Sequence, residues 1–470
     1  MSRATYLSLV LALAASHAGC TALIDAERHA RGSDTGARDG GTDGGPIDGG
    51  RDAGPVDANI PDVGLDAGPT DCTTDIDCPA SVSTCVSGHC TVCAPSSPTS
   101  VLLQSDPGLG GDVDLTVGVG ATAREILVAW RGAGTRVYLH RTPLGAIAAP
   151  TSATSVTDAI ASLGGITAVS EVLDVDLGSA AFNDTSRLFD VVLVGRSAGG
   201  VTFLSASQSS DSVTQPITSS TYPDPERRTA PDEIFGAVAI DGASVVVRQQ
   251  VAGTTQASVY DLAYLNSLLP SSSGIPSGQG VGMQSAEGWI VLNDPADLTQ
   301  SLLWHYGDFQ PGTVGTPDRT GEVSVAIGGA SSFLAVYPAG NEIHVRQFDC
   351  PGSCFPAATP RIDLRTDATS VAWARVTQVG GTPLVLSGET VGGTTRVVAR
   401  VLGTDLHPLV WPSGGSALVL DSFEGGATAS GRATRANDGA GSPHAVLAWT
   451  TQPAAGDHTA RLADLRIACP

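Results

Sequence analysis

A short unit recurs through most of this chain, and it confines the fold to antiparallel sheets. Its clearest copy runs from Glu322 to Phe348. Val323, Val325 and Ile327 alternate with Ser324, Ala326 and Gly328, the period of a half-buried strand. Phe333-Leu334-Ala335-Val336-Tyr337 is a short apolar run sized for a strand buried on both faces. Pro338-Ala339-Gly340-Asn341 carries turn chemistry. A third strand follows, with Ile343 and Val345 inward and Glu342, His344 and Arg346 outward. Apolar second strands of the same kind start near Ile126, Val191, Val245, Trp289, Phe333, Leu384 and Ala445, at spacings of 44 to 65 residues. Glycine or Asn-Asp-Pro turns follow most of them, as at Gly132-Ala133-Gly134, Asn293-Asp294-Pro295 and Gly392-Gly393. Third strands come next, as at Arg136–His140, Thr202–Ser205 and Arg396–Val401. Long helical periodicity is missing, although Val156–Leu163 and Leu262–Leu269 each allow a turn or two of helix.

Seven all-β units at this period resemble a β-propeller, whose closed ring removes sheet edges. The resemblance is architectural, since no WD dipeptide or Asp-box repeat can be read. It implies a seven-bladed ring over residues 96–470, with Ser100–Gln104 expected as the fourth strand of the last blade. Tandem β-sandwiches are the alternative. The lack of any linker between the repeats favours the ring.

Composition removes several functions. None of the 25 basic residues is lysine, which excludes a Schiff-base or P-loop lysine. The net charge is −22, and no basic stripe is present to neutralise phosphates, which argues against nucleic acid. No cofactor motif is read.

Ahead of the repeats lie three segments. Residues 1–19 read as an export signal, with Arg3 as a minimal basic region and Tyr6–Ala15 as an apolar stretch too short to span a bilayer. The signal ends in His17-Ala18-Gly19-Cys20, which resembles the lipobox of bacterial lipoproteins. His17 departs from the usual aliphatic residue. The resemblance implies acylation at Cys20 and an outer-membrane location; cleavage after Ala18 and soluble secretion is the alternative. Residues 20–71 form a tether in which aspartates recur every four or five residues between Asp34 and Asp71 among Gly, Ala and Pro, too polar to fold. Residues 72–95 hold Cys72, Cys78, Cys85, Cys90 and Cys93, and an exported chain makes disulfides a better reading than zinc. Lipidation of Cys20 leaves eight cysteines. Parity then suggests a Cys350–Cys354 bridge, a Cys93–Cys469 bridge and two bridges inside the cluster with open connectivity.

The sharpest catalytic temptation is Gly195-Arg196-Ser197-Ala198-Gly199, which resembles the nucleophile elbow of α/β-hydrolases. That elbow requires a helix after the strand. Here Val201-Thr202-Phe203-Leu204 reads as strand, so Ser197 is expected in a hairpin turn, with Asp405 and His444 as unselected partners. His140, His305 and His344 fall on third strands and are expected at the surface, so no metal site is expected. Asp294 with Asp297, and Asp224 with Glu226, sit in Pro-containing turns. The segment Ser207–Asp232, with Tyr222, Arg227 and Arg228, reads as an irregular insertion and a ligand face if one exists.

The expectation is therefore a monomeric, membrane-anchored propeller that binds a protein or glycan ligand without catalysis. A secreted glycan or ester hydrolase is the alternative.

Overall fold

A computed structural model describes residues 83–86, 89–92, 94–95, 98–119, 124–151, 154–155, 169–179, 189–200, 202–209, 216–222, 233–239, 244–261, 282–286, 289–305, 312–329, 332–349, 362–379, 382–403, 406–408, 416–437 and 443–468. The chain divides between Asp66 and Ala67, and every described residue belongs to the second unit. The expected export signal, Cys20, the tether, both short helical stretches, Cys72, Cys78, Cys93, Cys350, Cys354 and Cys469 lie outside the described residues.

The all-β expectation holds: the described residues are built from antiparallel sheets. A hairpin, Ser83–Val86 with His89–Val92, puts the backbones of Cys85 and Cys90 directly opposite each other. Seven larger sheets follow. Sheet 1 is Val113–Val119, Arg124–Arg131, Val137–Pro143 and Thr154–Ser155. Sheet 2 is Val169–Ser179, Phe189–Ser197, Thr202–Ser209 and Pro216–Tyr222. Sheet 3 is Glu233–Ala239, Ser244–Val251 and Thr254–Asp261. Sheet 4 is Gly282–Ala286, Trp289–Asn293, Gln300–His305 and Gly312–Gly315. Sheet 5 is Ser324–Gly329, Ser332–Ala339, Glu342–Asp349 and Ile362–Arg365. Sheet 6 is Ser370–Val379, Thr382–Val391, Thr394–Val401 and Leu418–Glu424. Sheet 7 is Ala427–Asn437, Pro443–Gln452 and His458–Ala468. Each expected apolar run is the second strand of its sheet.

Turn chemistry explains the hairpins. Gly392 and Gly393 both have positive φ, +56° and +91°, between the paired residues Val391 and Thr394. Two successive positive φ values make a type I′ turn, whose twist matches the flanking strands and which glycine adopts without strain.

The second strands are apolar on both faces because a sheet covers each face. In sheet 1, Ile126, Val128 and Trp130 pack with Val446, Ala448, Ala460 and Leu462 of sheet 7. The alternate residues, Leu127 and Ala129, pack with Val175, Leu177, Val191 and Leu193 of sheet 2. The same two-sided use continues through the chain. Val192 and Val194 meet Val245 and Val247 of sheet 3, and Val246 meets Ile290 and Leu292 of sheet 4. Val291 meets Ala335 and Tyr337 of sheet 5, Leu334 and Val336 meet Val376 and Val385 of sheet 6, and Leu384 and Leu386 meet Leu447 and Trp449 of sheet 7. Period-2 alternation thus sends successive side chains into two different cores. Full burial of each Val, Leu or Ile contributes about 1.5–3 kcal/mol. The first strands also pack in sequence, each against the first strand of the next sheet, and that of sheet 7 against that of sheet 1.

Two differences from the sequence reading stand out. The units are not three-stranded: most carry a fourth strand, which is short or polar and so shows no apolar alternation. Ser207–Asp232 is one such case, because Pro216–Tyr222 pairs with Thr202–Ser209 as an ordinary fourth strand. For sheet 7 the extra strand comes from the other end of the repeats. Thr99–Asp106 pairs with His458–Ala468 as expected for Ser100–Gln104, and Gln104 Oε1 accepts a hydrogen bond of 2.6 Å from Trp130 Nε1 of sheet 1.

Farther along the same edge, Ala94 pairs with Ala468 and Pro95 with Ile467. Cys93 and Cys469, the chain neighbours of the Ala94–Ala468 pair, lie outside the described residues, and the bridge between them is the prediction of cysteine parity. Peptide mapping of the unreduced protein is expected to recover one disulfide-linked peptide pair containing both. Cys469→Ser is expected to lower stability by about 2–5 kcal/mol. A free thiol at Cys469 contradicts the bridge.

Candidate functional site

The first strand of each sheet presents one edge with no strand partner among the described residues, and its backbone groups need other partners. Side chains of the neighbouring sheets supply them. Asp114, buried in the first strand of sheet 1, accepts a 2.7 Å hydrogen bond from Leu177 N of sheet 2. Asp174 of sheet 2 accepts one of 3.2 Å from Ala237 N of sheet 3, and Thr202 Oγ1 one of 3.0 Å from Ile234 N. Asn293 of sheet 4 bonds both backbone groups of Val323, at 2.8 and 3.1 Å. Ser324 Oγ of sheet 5 accepts from Val376 N of sheet 6 at 3.3 Å. Trp373 Nε1 and Arg375 Nε of sheet 6 donate to the carbonyls of Thr428 and Gly431 in sheet 7. Arg432 Nε of sheet 7 donates to Asp114 Oδ1 at 3.2 Å.

These fasteners gather charge. Arg432 lies in the field of Asp114, Glu322, Asp176 and Asp112, which together outweigh its desolvation and raise its pKa. Arg375 is pulled down to about 10, chiefly by burial, although Glu322 binds its Nη2 at 2.8 Å. Burial pushes the Asp174 carboxyl up to about 7, against the Ala237 N–H and Arg432, while Asp112 and Asp114 add to the rise. Asp114 is raised too, again by desolvation, with Arg432 opposing. A carboxyl titrating near 7 beside a second raised carboxyl and an arginine is the candidate site: it can hold or release a proton at neutral pH. Sequence reasoning missed all of these residues. The available signal was a charge flanked by apolar residues in a first strand, as in Leu173-Asp174-Val175-Asp176-Leu177.

The residues that sequence did single out lie elsewhere. Ser197 ends its strand at a hairpin turn, with Gly200 N donating to its carbonyl at 2.9 Å, and the next strand starts at Thr202. No helix follows it. Gly195 is explained by packing, since a Cβ there would sit 2.6 Å from the Phe203 ring. His444 is buried in sheet 7 and bonds Asp464 at 2.7 Å, while Asp464 Oδ2 accepts from Gly145 N at 2.8 Å, a tie between sheets 7 and 1. Asp405, Asp224, Glu226, Arg227 and Arg228 lie outside the described residues. His305 and Tyr222 lie in described strands, and their own side chains are not described. Asp294 and Asp297 each cap backbone N–H groups two residues on, and the buried Arg319 donates to both of their carbonyls, at 2.9 and 2.7 Å. They are turn residues, as expected. His140 is partly buried and bonds the Ala148 carbonyl at 2.9 Å. The surface expectation fails for His344, which is buried. Alternation away from Ile343 and Val345 points it at sheet 4 rather than at solvent.

Another buried carboxylate, Glu389, is fully engaged. Burial works to raise it, but Arg400, Ser387 and Arg396 hold it below the usual range. Ser387 Oγ donates to it at 2.7 Å and Arg396 Nη2 at 3.1 Å.

The raised Asp174 carboxyl has a definite linkage sign. The folded state holds a proton that the unfolded state releases near pH 3.8, so its contribution to stability is complete below that value and lost as pH rises through about 7. Asp174→Asn keeps an acceptor for Ala237 N and removes the charge. The variant is expected to melt at a higher temperature than wild type at pH 8 and at the same temperature at pH 4, by scanning fluorimetry. A lower melting temperature at pH 8 would mean that the ionised carboxylate supports the fold.

No family model matches the sequence, and no curated protein matches it. Solved structures do. The Saccharomyces cerevisiae core factor aligns at 10% identity and TM-score 0.44, over 80% of this chain and 62% of that one, so the chain spans less than two thirds of its length. The Myceliophthora thermophila Cps50 (Swd1) β-propeller domain aligns at 8% identity and TM-score 0.39, over 78% and 98%. The GH43_1 enzyme from Xanthomonas citri, complexed with xylose, aligns at 12% identity and TM-score 0.33, over 69% and 97%.

Proposed function

We propose that this chain is an exported, lipid-anchored protein that presents a seven-bladed β-propeller as a binding platform for a protein or glycan ligand. The observation that carries the reading is the two-sided use of every apolar second strand. Each of the seven sheets is covered by its predecessor and its successor, with sheet 7 covered by sheet 1. Such an arrangement holds loops on a rigid frame, and loops on rigid frames carry recognition. The anchor reading rests on Ala18-Gly19-Cys20, and the acidic tether from residue 20 to 71 has the composition of a solvated spacer.

A second reading, hydrolysis of a glycan or ester, draws on Asp174 and Asp114, because carboxyls with raised pKa values are the equipment of general acid–base chemistry. Their bonds to Leu177 N and Ala237 N give both a fastening role, which is why binding comes first.

Intact mass of the protein extracted from the envelope of its host tests the proposal. The expected species starts at Cys20, carries a diacylglycerol-type increment, and is lost from whole cells on protease treatment. A lipid-free chain starting at Gly19 in the medium contradicts the anchor. Turnover of aryl glycosides or aryl esters by wild type and not by Asp174→Asn would move the balance to the hydrolase.

A further inference from the structure

Sheet 5 brings a histidine and two carboxylates together on its third and fourth strands. Glu342 and His344 lie two residues apart on the third strand, hence on one face. Asp363 on the fourth strand is directly opposite His344. His344 Nε2 stands 3.6 Å from Glu342 Oε2 and 3.5 Å from Asp363 Oδ1. One ligand atom from each of the three residues lies within 4.8 Å of the other two. The histidine side chain is 3% exposed, whereas Glu342 is 29% and Asp363 34% exposed, so the cluster is buried on the nitrogen side and open to water on the oxygen side. The ring of Tyr337, paired across from His344, meets the imidazole edge-on at 5.2 Å and fixes its plane. Arg346, the next residue on the same face, donates to the Gly315 carbonyl at 2.7 Å.

The separations also suit a bound cation larger than a proton. At 3.5–3.6 Å the nitrogen is beyond the usual N–H···O range of about 2.7–3.2 Å from both oxygens. Two ligand atoms on a tetrahedral ion with bonds of about 2.1 Å stand roughly 3.4 Å apart. The gap matches that edge. One imidazole nitrogen and two carboxylate oxygens suit zinc and its neighbours among the divalent transition metals, and the two carboxylates balance the charge of the ion.

We propose that Glu342, His344 and Asp363 form a divalent transition-metal site of the zinc class. Three protein ligands leave the fourth position of a tetrahedral ion to water or to a group from a bound ligand. The site lies on the third and fourth strands of sheet 5, apart from the Asp174 cluster on the first strands. The negative charge of the chain raises the local concentration of cations around it.

The test uses the full mature chain, freed of metal by chelator dialysis, with Zn²⁺ and Co²⁺ as probes. Competition against a chromophoric chelator is expected to give one tight Zn²⁺ per chain, and Co²⁺ is expected to give the visible bands of a four-coordinate ion. Glu342→Gln, Asp363→Asn and His344→Gln are each expected to weaken Zn²⁺ by at least tenfold and to abolish those bands. The two carboxylates are partly exposed, and their variants are expected to keep the metal-free melting temperature, so their loss of binding does not report unfolding. Absence of saturable binding to wild type would leave the cluster as a histidine ion pair and overturn the proposal. Binding unchanged in all three variants would place the ion among the cysteines or tether aspartates, and overturns it equally.

Discussion

A strand that is apolar on both faces needs a sheet on each side, and the rest of this fold depends on that requirement. Ile126 to Trp130, Val245 to Val247, Leu384 to Leu386 and Ala445 to Trp449 are buried without interruption. A linear stack of such sheets would leave its two end faces bare. The face of Ile126, Val128 and Trp130 is instead covered by Val446 and Ala448, from the far end of the chain. Joining the first sheet to the last solves for the end sheets what stacking solves for the others. Thr99–Asp106 reinforces that junction: it pairs with His458–Ala468 while Gln104 receives the Trp130 indole N–H.

Hydrophobic stacking does not satisfy the inner strand edges, and polar side chains complete the structure there. Asp114, Asp174, Asn293, Ser324 and Arg375 each reach a backbone group of the next sheet. Such bonds contribute modestly when made and cost more when a buried partner is lost. Carrying carboxylates into this region raises the pKa values of Asp174 and Asp114, so groups that fasten the sheets are also held toward their protonated form. Glu342, His344 and Asp363 are different in kind. They lie on the third and fourth strands of one sheet, with the two carboxylates partly open to water.

The second strands were legible because an uninterrupted apolar run followed by a glycine turn has few other uses. The closing strand was legible for a related reason, since the last unit lacked a partner and Ser100–Gln104 was the extended segment left over. Fourth strands escaped because their side chains are short or polar: Gly312–Gly315 and Thr154–Ser155 carry almost no pattern. The reading of Ser197 as a turn residue held because Thr202-Phe203-Leu204 is β-branched and aromatic. His344 was misread for a physical reason. Alternation separates two faces, and in stacked sheets neither face is solvent, so opposite to Ile343 means against sheet 4. The Asp174 cluster was invisible because it draws on strands more than 250 residues apart, such as those of Asp174 and Arg432.

The most direct measurement of the ring is amide hydrogen exchange followed by mass spectrometry on the native chain. A closed stack predicts that peptides covering Thr99–Asp106 and His458–Ala468 exchange as slowly as those covering Val191–Val194 and Val245–Val247, because all open only with the whole domain. Fast exchange of Thr99–Asp106 with the other three protected would contradict it, and would make sheets 7 and 1 the open ends of a stack.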